Sequence, residues 1–186
     1  NANFAATVEA MTVRLSSAGF QVLLGHTNYD ILREEQLIED FLSRRPEAVV
    51  VTGGRHTHRA RNLLAQAGVP VIETWDLPAD PIDHVIGFSN AACMDLLVAH
   101  LSGAGFRRIA FIGGDTDGDT RGADRRRGFI AAMQARDLDA TRLIGAGQPP
   151  ISMVKGAAAM ARLLDEMPDT QAVICVSDLS AFGALT

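Results

Sequence analysis

Apolar residues follow two different spacings along the chain, one typical of amphipathic helices and the other of buried strands. Near the start, Val8, Met11 and Leu15 recur every three or four residues, and the pattern stops at Gly19. This predicts a helix that ends at a glycine. The continuous apolar run over residues 20–26 predicts a buried strand directly after it.

The same alternation continues to the end of the chain. Further helices are predicted over 33–45, 58–68, 90–105, 125–137, 153–167 and 179–186, and further strands over 47–53, 69–75, 84–88, 107–114, 141–147 and 171–178. Asn90 and Asp178 are the expected caps of the helices that start beside them. Strands that are almost continuously apolar and alternate with helices predict an α/β fold of parallel sheets covered by helices on both faces.

Ligands of such folds bind at the carboxyl ends of the strands, where the loops gather. These positions are His26–Thr27, Thr52–Gly53, Trp75–Asp76, Ser89–Asn90, Gly114–Asp115 and Ser177–Asp178. The pattern opens on a helix with no strand before it and closes inside a helix without a cap. We therefore expect a fold that is incomplete at both ends and part of a larger protein.

Composition narrows the class of protein. With 47% hydrophobic and 21% charged residues, the chain resembles an ordinary globular protein. Its formal net charge of −5 argues against a nucleic-acid-binding surface. Cys93 and Cys175 match no metal or redox spacing and are expected to be reduced, buried residues. No signal peptide or membrane-spanning run is visible, which favours a cytoplasmic protein.

Residues 119–129, DTRGADRRRGF, contain Arg121, Arg125, Arg126 and Arg127 in an otherwise acidic chain. Such a cluster could bind nucleic acid, cradle a phosphate or close on a small anionic ligand. The net charge argues against the first, and the absence of a GxxxxGK[ST] motif argues against the second. A rigid guanidinium fork suits two hydroxyls or one carboxylate, so the clamp is favoured. Arg126 and Arg127 are expected to be solvated.

Other residues are candidates for a metal site or an enzyme site. His26, His56 and His58 could suggest a metal site, since a His-x-His pair can contribute two ligands, but no cysteine is near in sequence and the fold would have to supply a third ligand. The aspartates of 113–119 could hold Mg²⁺, but they lack the EF-hand spacing, and a solvated loop explains them. GFSNA at 87–91 lacks the second glycine of a nucleophile elbow. The sequence predicts no metal, no cofactor and no enzyme activity, with a doubly wound enzyme of sugar phosphates as a remaining rival.

An ordered series of segments resembles the effector-binding core of LacI/GalR-type transcriptional repressors. The segments are NFAATVEAMTVRLSSAGFQVLLGHTN, REEQLIEDFLSRRPEAVVVTG, LLAQAGVPVIE, GFSNAACMDLLVAHLSGAGFRRIAFIGG, RRRGFIAAM and AVICVSDLSAFGAL. Within that family GHTNYD, RHTHR and VIETWDLPADPIDHVIGFSN are most similar to the gluconate-utilisation repressors.

The resemblance implies two doubly wound parallel-sheet subdomains of the periplasmic-binding-protein-like type I. It places residues 1–105 in the first subdomain, without its first strand, and 106–186 in a truncated second one, with the DNA-binding headpiece outside the chain. A small sugar or sugar acid, gluconate-like, would bind in the cleft and control DNA binding allosterically. A sugar-binding protein of an ABC transporter is the alternative, because it shares the two-lobed fold.

The implied partners are the effector, operator DNA only through the headpiece, and a second copy of the chain, with no membrane contact. A homodimer would also cover apolar residues of the first helix, since Val8, Met11, Val13 and Leu15 do not all face one core.

The resemblance also implies a set of effector-binding residues: Phe4, Thr52, Gly53, His56, Trp75, Arg121, Arg125 and Ser177. Arg125 stands three residues before Gly128, where the family places an effector-binding arginine. Phe4 and Trp75 match aromatic positions that cover the ligand, and His56 is a candidate partner for a ligand carboxylate. Ser89 replaces the aspartate that is usual at its position.

Overall fold

The computed structural model describes residues 2–115 and 118–186, with side chains from Phe4 onward. The helices are α1 (Ala2–Ser17), α2 (Ile31–Ser43), α3 (His58–Ala65), α4 (Asn90–Gly103), α5 (Thr120–Gln134), α6 (Met153–Glu166) and α7 (Asp178–Ala184). The strands are β1 (Val49–Thr52), β2 (Val71–Thr74), β3 (His84–Ile86), β4 (Ile109–Ile112), β5 (Leu143–Ile144) and β6 (Ala172–Cys175). Among the described residues, no helix has the length and apolar character needed to cross a membrane.

The strands form two separate parallel sheets. The first has the order β1-β2-β3 and the second the order β5-β4-β6. Val49 pairs with Val71 in the first sheet, and Ile109 pairs with Ala172 in the second. The α/β architecture with parallel strands agrees with the prediction from the sequence.

Each sheet has its own apolar core. The first core contains Ile38, Val49, Val51, Ala60, Leu64 and Val71. The second is larger, and its members include Met94 and Val98 of α4 beside strand β4. Helix α4 therefore packs with the second core. The change of subdomain near Gly105 stays a prediction.

The two sheets differ in how much of their surface is covered. All four residues of β4 are buried. Burial alternates along β1, where Val50 is 44% exposed, and Ile86 of β3 is 71% exposed. The expectation of strands buried on both faces therefore holds for β4 but not for β1 or β3.

No strand forms over residues 20–26, although the sequence predicts one. The segment runs without regular secondary structure, and Leu23 and Leu24 are exposed. A strand needs a neighbour that accepts and donates its backbone hydrogen bonds. None of the described strands pairs with this segment.

Helix ends also differ from the prediction. Ser89 rather than Asn90 caps α4, with its hydroxyl accepting from the Ala92 amide. Ser177 rather than Asp178 caps α7. Helix α7 runs to Ala184, with Leu185 at its C-cap.

Helix α5 begins earlier than the predicted start at Arg125. It starts at Thr120 and is capped by Asp119, whose carboxylate accepts from the Gly122 amide at 3.0 Å. Arg121 and Arg125 therefore lie on one helix, four residues apart and on the same side.

Candidate functional site

Three aromatic rings and one guanidinium form a compact group at the start of α1 and the end of β2. The Phe4 and Trp75 ring centroids are 4.8 Å apart, and the Phe88 ring meets Trp75 edge-on at 6.2 Å. The guanidinium carbon of Arg121 lies 5.2 Å from the Phe4 centroid, within cation–π range. An apolar surface beside a cation suits the C–H face and the polar groups of a sugar derivative.

Trp75 has a backbone conformation that bulky residues rarely adopt. Its φ is +64°, in the left-handed region, where a large side chain is strained. The Trp75 amide donates to the Ile86 carbonyl at 3.2 Å. Gly87 lies so close to Asp76 that a Cβ there would overlap the Asp76 carbonyl. The end of β3 thus holds the Trp75–Asp76 backbone in place.

Arg125 is held by two acceptors from different parts of the chain. Its Nε donates to Asn90 Oδ1 at 3.0 Å, and its Nη1 donates to the Val176 carbonyl at 2.6 Å. Burial lowers the pKa of Arg125, while the charge of Asp119 acts to raise it and that of Arg121 to lower it. The guanidinium remains protonated at neutral pH, since an arginine's pKa lies far above that range.

Asn90 lies between the aromatic group and this arginine. It is 1% exposed, and its amide nitrogen is 3.3 Å from both the Trp75 carbonyl and an Asp76 carboxylate oxygen. The sequence predicted a helix cap here and missed this role. The only signal in the sequence was that Ser89, the residue before Asn90, is itself a good cap residue.

Close packing of two helices sets the position of Arg125 opposite Asn90. A Cβ on Gly128 of α5 would come within 2.5 Å of the Ala91 carbonyl oxygen of α4. Only glycine allows this approach without displacement. Because Ala91 follows Asn90 and Gly128 lies one turn after Arg125, the contact brings Arg125 and Asn90 face to face.

The other arginines of the cluster are in different environments. Arg127 is exposed and pairs with Asp124, which also pairs with Arg55 at 3.1 Å. Arg126 was expected to be solvated, yet its Nη1 is buried without a hydrogen-bond partner among the described residues. Arg121 Nη1 is in the same situation. Arg121 is thus the arginine that both contacts the aromatic group and has a free donor.

His56 lies apart from this group. Its ring is fully buried, with Nδ1 at 2.8 Å from Glu34 and Nε2 at 3.5 Å from Glu73. Burial alone would lower the pKa of His56, but the hydrogen bond and charge of Glu34, reinforced by Glu73, raise it above its ordinary value. A ligand carboxylate would have to compete with these two acidic side chains for the ring.

The other predicted effector-binding residues are Thr52, Gly53 and Ser177. The Gly53 amide donates to the Thr74 carbonyl at 2.8 Å and has a φ of +92°, while Thr52 is exposed. The Ser177 hydroxyl caps α7 in a reciprocal capping box with Ser180. Ser177 also follows Val176, whose carbonyl accepts from Arg125.

The residues considered for metal binding are distributed over the surface and loops. Asp115 accepts from the Ala146 amide at 3.1 Å, Asp119 caps α5, and Asp117 lies outside the described residues. His26 is exposed, and the His58 ring contacts Asn62. In residues 2–115 and 118–186, no group of three or more histidine, cysteine or acidic side chains could hold a metal ion.

Comparison with known proteins places the chain in a family. A family model described as periplasmic binding proteins and sugar binding domain of LacI family matches residues 2–186. The chain belongs to this family. The curated relatives include the HTH-type transcriptional regulator GntR of Pseudomonas aeruginosa, 31% identical over 100% of this chain and 53% of the relative. The HTH-type transcriptional regulator IdnR of Escherichia coli is 29% identical over 99% of this chain and 54% of the relative.

A solved structure supports the same assignment. The crystal structure of a LacI family transcriptional regulator from Silicibacter pomeroyi is 45% identical, with a TM-score of 0.95, and the match covers 100% of this chain and 68% of that one. The chain spans about half the length of the curated relatives that it matches.

Proposed function

We propose that this chain is the sensing part of a LacI-type transcriptional regulator and binds a small sugar acid, gluconate-like, without transforming it. The aromatic group with Arg121, together with Arg125 one helical turn away, supports the proposal most directly. It combines an aromatic surface with two cationic side chains, one already oriented by fixed acceptors. Aromatic rings suit the carbon chain of a polyol, and guanidinium groups suit its carboxylate.

The sugar-acid assignment rests on charge and on the resemblance to gluconate-utilisation repressors. A neutral sugar needs hydrogen bonds but no cation, whereas a carboxylate gains most from a charge-assisted pair. Arg121 has an unpartnered donor atom in the described structure, and Arg125 lies one helical turn away. The relatives named above are transcriptional regulators, which favours this function over the transporter alternative.

The mechanism we propose is linkage between ligand binding and the arrangement of the two sheets. Arg125 reaches Asn90 at the start of α4 and Val176 at the end of β6, and Phe4 and Trp75 belong to the first sheet's side. A ligand that contacts all of them binds one arrangement better and shifts the population toward it. In the full-length protein, this shift would change operator affinity through a DNA-binding headpiece, within a homodimer.

The test is ligand binding by the full-length protein with one arginine changed at a time. Calorimetry and thermal shift would compare gluconate, 2-keto-gluconate, 6-phosphogluconate, gluconolactone and neutral hexoses. We expect a sugar acid to raise the melting temperature with its concentration, as selective binding to the folded state requires. Arg125→Ala should abolish the shift, and Arg127→Ala, on the exposed side of the same helix, should retain it. Binding of neutral sugars alone would contradict the sugar-acid assignment, and turnover of a sugar phosphate would contradict the function as a whole.

A further inference from the structure

We propose that Asn90 is a positioning residue of the effector site, holding the Trp75 backbone and the Arg125 guanidinium in one fixed geometry. This inference rests on the proposed function, because Trp75 and Arg125 are both candidate ligand contacts. Asn90 is not on the aromatic surface and is not a helix cap, since Ser89 fills that role. Its side chain is buried and fully engaged with its neighbours.

The chemistry of the neighbours fixes the orientation of the amide. Arg125 Nε is only a donor, so the Asn90 oxygen must face it. The Trp75 carbonyl and the Asp76 carboxylate are acceptors, so the Asn90 nitrogen must face them. Each of the three contacts requires the same orientation, and a rotated amide would place like groups together on both sides.

The two residues that Asn90 connects belong to different parts of the fold. Trp75 follows β2 in the first sheet, while Arg125 lies on α5, which packs with the second core. Trp75 is held in a strained left-handed conformation, and one of its backbone constraints is the Asn90 contact. A change in the arrangement of the sheets would therefore move Trp75 and Arg125 together through Asn90.

Two substitutions of Asn90 remove different sets of its contacts to Trp75 and Arg125. In Asn90→Ser the side chain is too short to reach either neighbour, so both contacts are lost. In Asn90→Asp the carboxylate keeps an acceptor for Arg125 but has no donor for Trp75 and faces the carboxylate of Asp76. The added negative charge beside Arg125 also opposes an anionic ligand. Asn62→Asp, the same change at an exposed position of α3, is the matched control.

The experiment measures gluconate and glucitol binding by the full-length protein and the three variants. Glucitol has the same carbon chain without the carboxylate, so the ratio of the two affinities reports on the cationic contact. We expect Asn90→Ser to lower the gluconate affinity by about tenfold or more, since an oriented charge-assisted contact is lost. The gluconate-to-glucitol ratio should fall in both Asn90 variants, and further in Asn90→Asp, while Asn62→Asp retains the original ratio. A purely structural role would weaken both ligands equally.

A second measurement needs no ligand. Trp75 is the only tryptophan of the 186-residue chain, so measurements of fluorescence and acrylamide quenching on this chain and its variants report on this position alone. We expect more quenching in Asn90→Ser and Asn90→Asp than in the control. If the wild-type protein binds gluconate and the Asn90 variants keep its gluconate-to-glucitol ratio, the positioning role is overturned and the proposed function is left intact. If the wild-type protein binds neither ligand, the sugar-acid function fails, and unchanged Trp75 quenching in the Asn90 variants then overturns the positioning role as well.

Discussion

The two sheets of this chain are stabilised by different kinds of interaction. The second core is the larger apolar cluster, with β4 buried along its whole length and Phe111 stacked on Phe129 at 5.4 Å. The first core has few buried apolar side chains and includes a buried carboxylate, Glu73, directed toward the ring of His56. Hydrophobic burial stabilises without a geometric requirement, whereas a buried charge stabilises only while its partners are in place.

The polar cluster and the apolar core lie on different sides of the candidate site. The polar cluster of Glu34, His56 and Glu73 links α2, the loop after β1, and β2, and the last of these leads directly to Trp75. The apolar core supports α5, which carries Arg121 and Arg125. The segment that leads to Trp75 thus adjoins a cluster of titratable side chains, and the helix that carries the two arginines rests on an apolar core.

The largest expected effect is in the apolar core. Phe129→Ala should reduce the free energy of unfolding by about 3–5 kcal/mol, because it removes a fully buried aromatic ring from contact with Phe111. Urea unfolding measures this loss. Phe182→Ala, at a position 57% exposed, is the control and should change little. Equal losses in the two variants would show that the second core does not depend on this packing.

A smaller loss is expected in the polar cluster. Glu73→Leu leaves the Ile82 amide, which donates to Glu73 at 2.7 Å, without its acceptor and removes one carboxylate from His56. We expect a loss of about 1–3 kcal/mol by the same unfolding measurement. Glu73→Gln keeps an acceptor for the amide and should lose less. A Glu73→Leu protein as stable as the wild type would mean that apolar burial can replace the charge, and the contrast between the two cores would not hold.

The pH dependence of the stability should distinguish the two regions without a change in their packing. The pKa of His56 is raised above its ordinary value near 6.5 in the folded chain, so the folded state binds more protons above that pH. Its contribution to stability is fully present below about pH 6.5 and is lost as the pH rises through the folded pKa. Denaturant midpoints between pH 6 and 9 should fall, and His56→Gln should flatten this dependence. An unchanged slope in His56→Gln would assign it to another group.

The smallest effect is expected at an ion pair that joins the two regions. Arg55, in the loop after β1, pairs with Asp124 of α5 at 3.1 Å, and the Arg55 side chain is 50% exposed. Exposed pairs contribute about 0–1 kcal/mol and less at high salt. A double-mutant cycle of Arg55→Ala and Asp124→Ala should give a coupling energy in that range. A much larger coupling would mean that charge, and not only the site itself, connects the two sheets.

Most of the order of elements could be predicted from the sequence, because hydrophobic spacing determines which segments form helices and strands. The structure brings together Phe4, Trp75 and Arg121, which the resemblance named, and their role in effector binding stays a prediction. Phe88 was not predicted as a member of this group. The prediction of a strand over 20–26 was wrong because spacing does not reveal whether a pairing partner exists.

The polar network was not predictable in the same way. Asn90 and Ser89 are both good caps, and only the packing of α4 on α5 determines which of them turns inward. The partners of His56 come from positions 22 and 17 residues away in sequence, Glu34 and Glu73, which no local pattern joins. Such contacts depend on tertiary structure, whereas the helices that carry them depend on local sequence.

Helices α6 and α7 touch through backbone rather than side chains, since a Cβ on Gly156 would overlap Ser180 and one on Gly183 would overlap Met153. Closely packed protein interiors transmit strain, and at these two points no side chain separates the two helices. A shift of the Val176–Ser177 backbone at the start of α7 should therefore move α6 with it. An alanine at either glycine would act as a wedge, tilting α7 and drawing the Val176 carbonyl away from Arg125 with no ligand present.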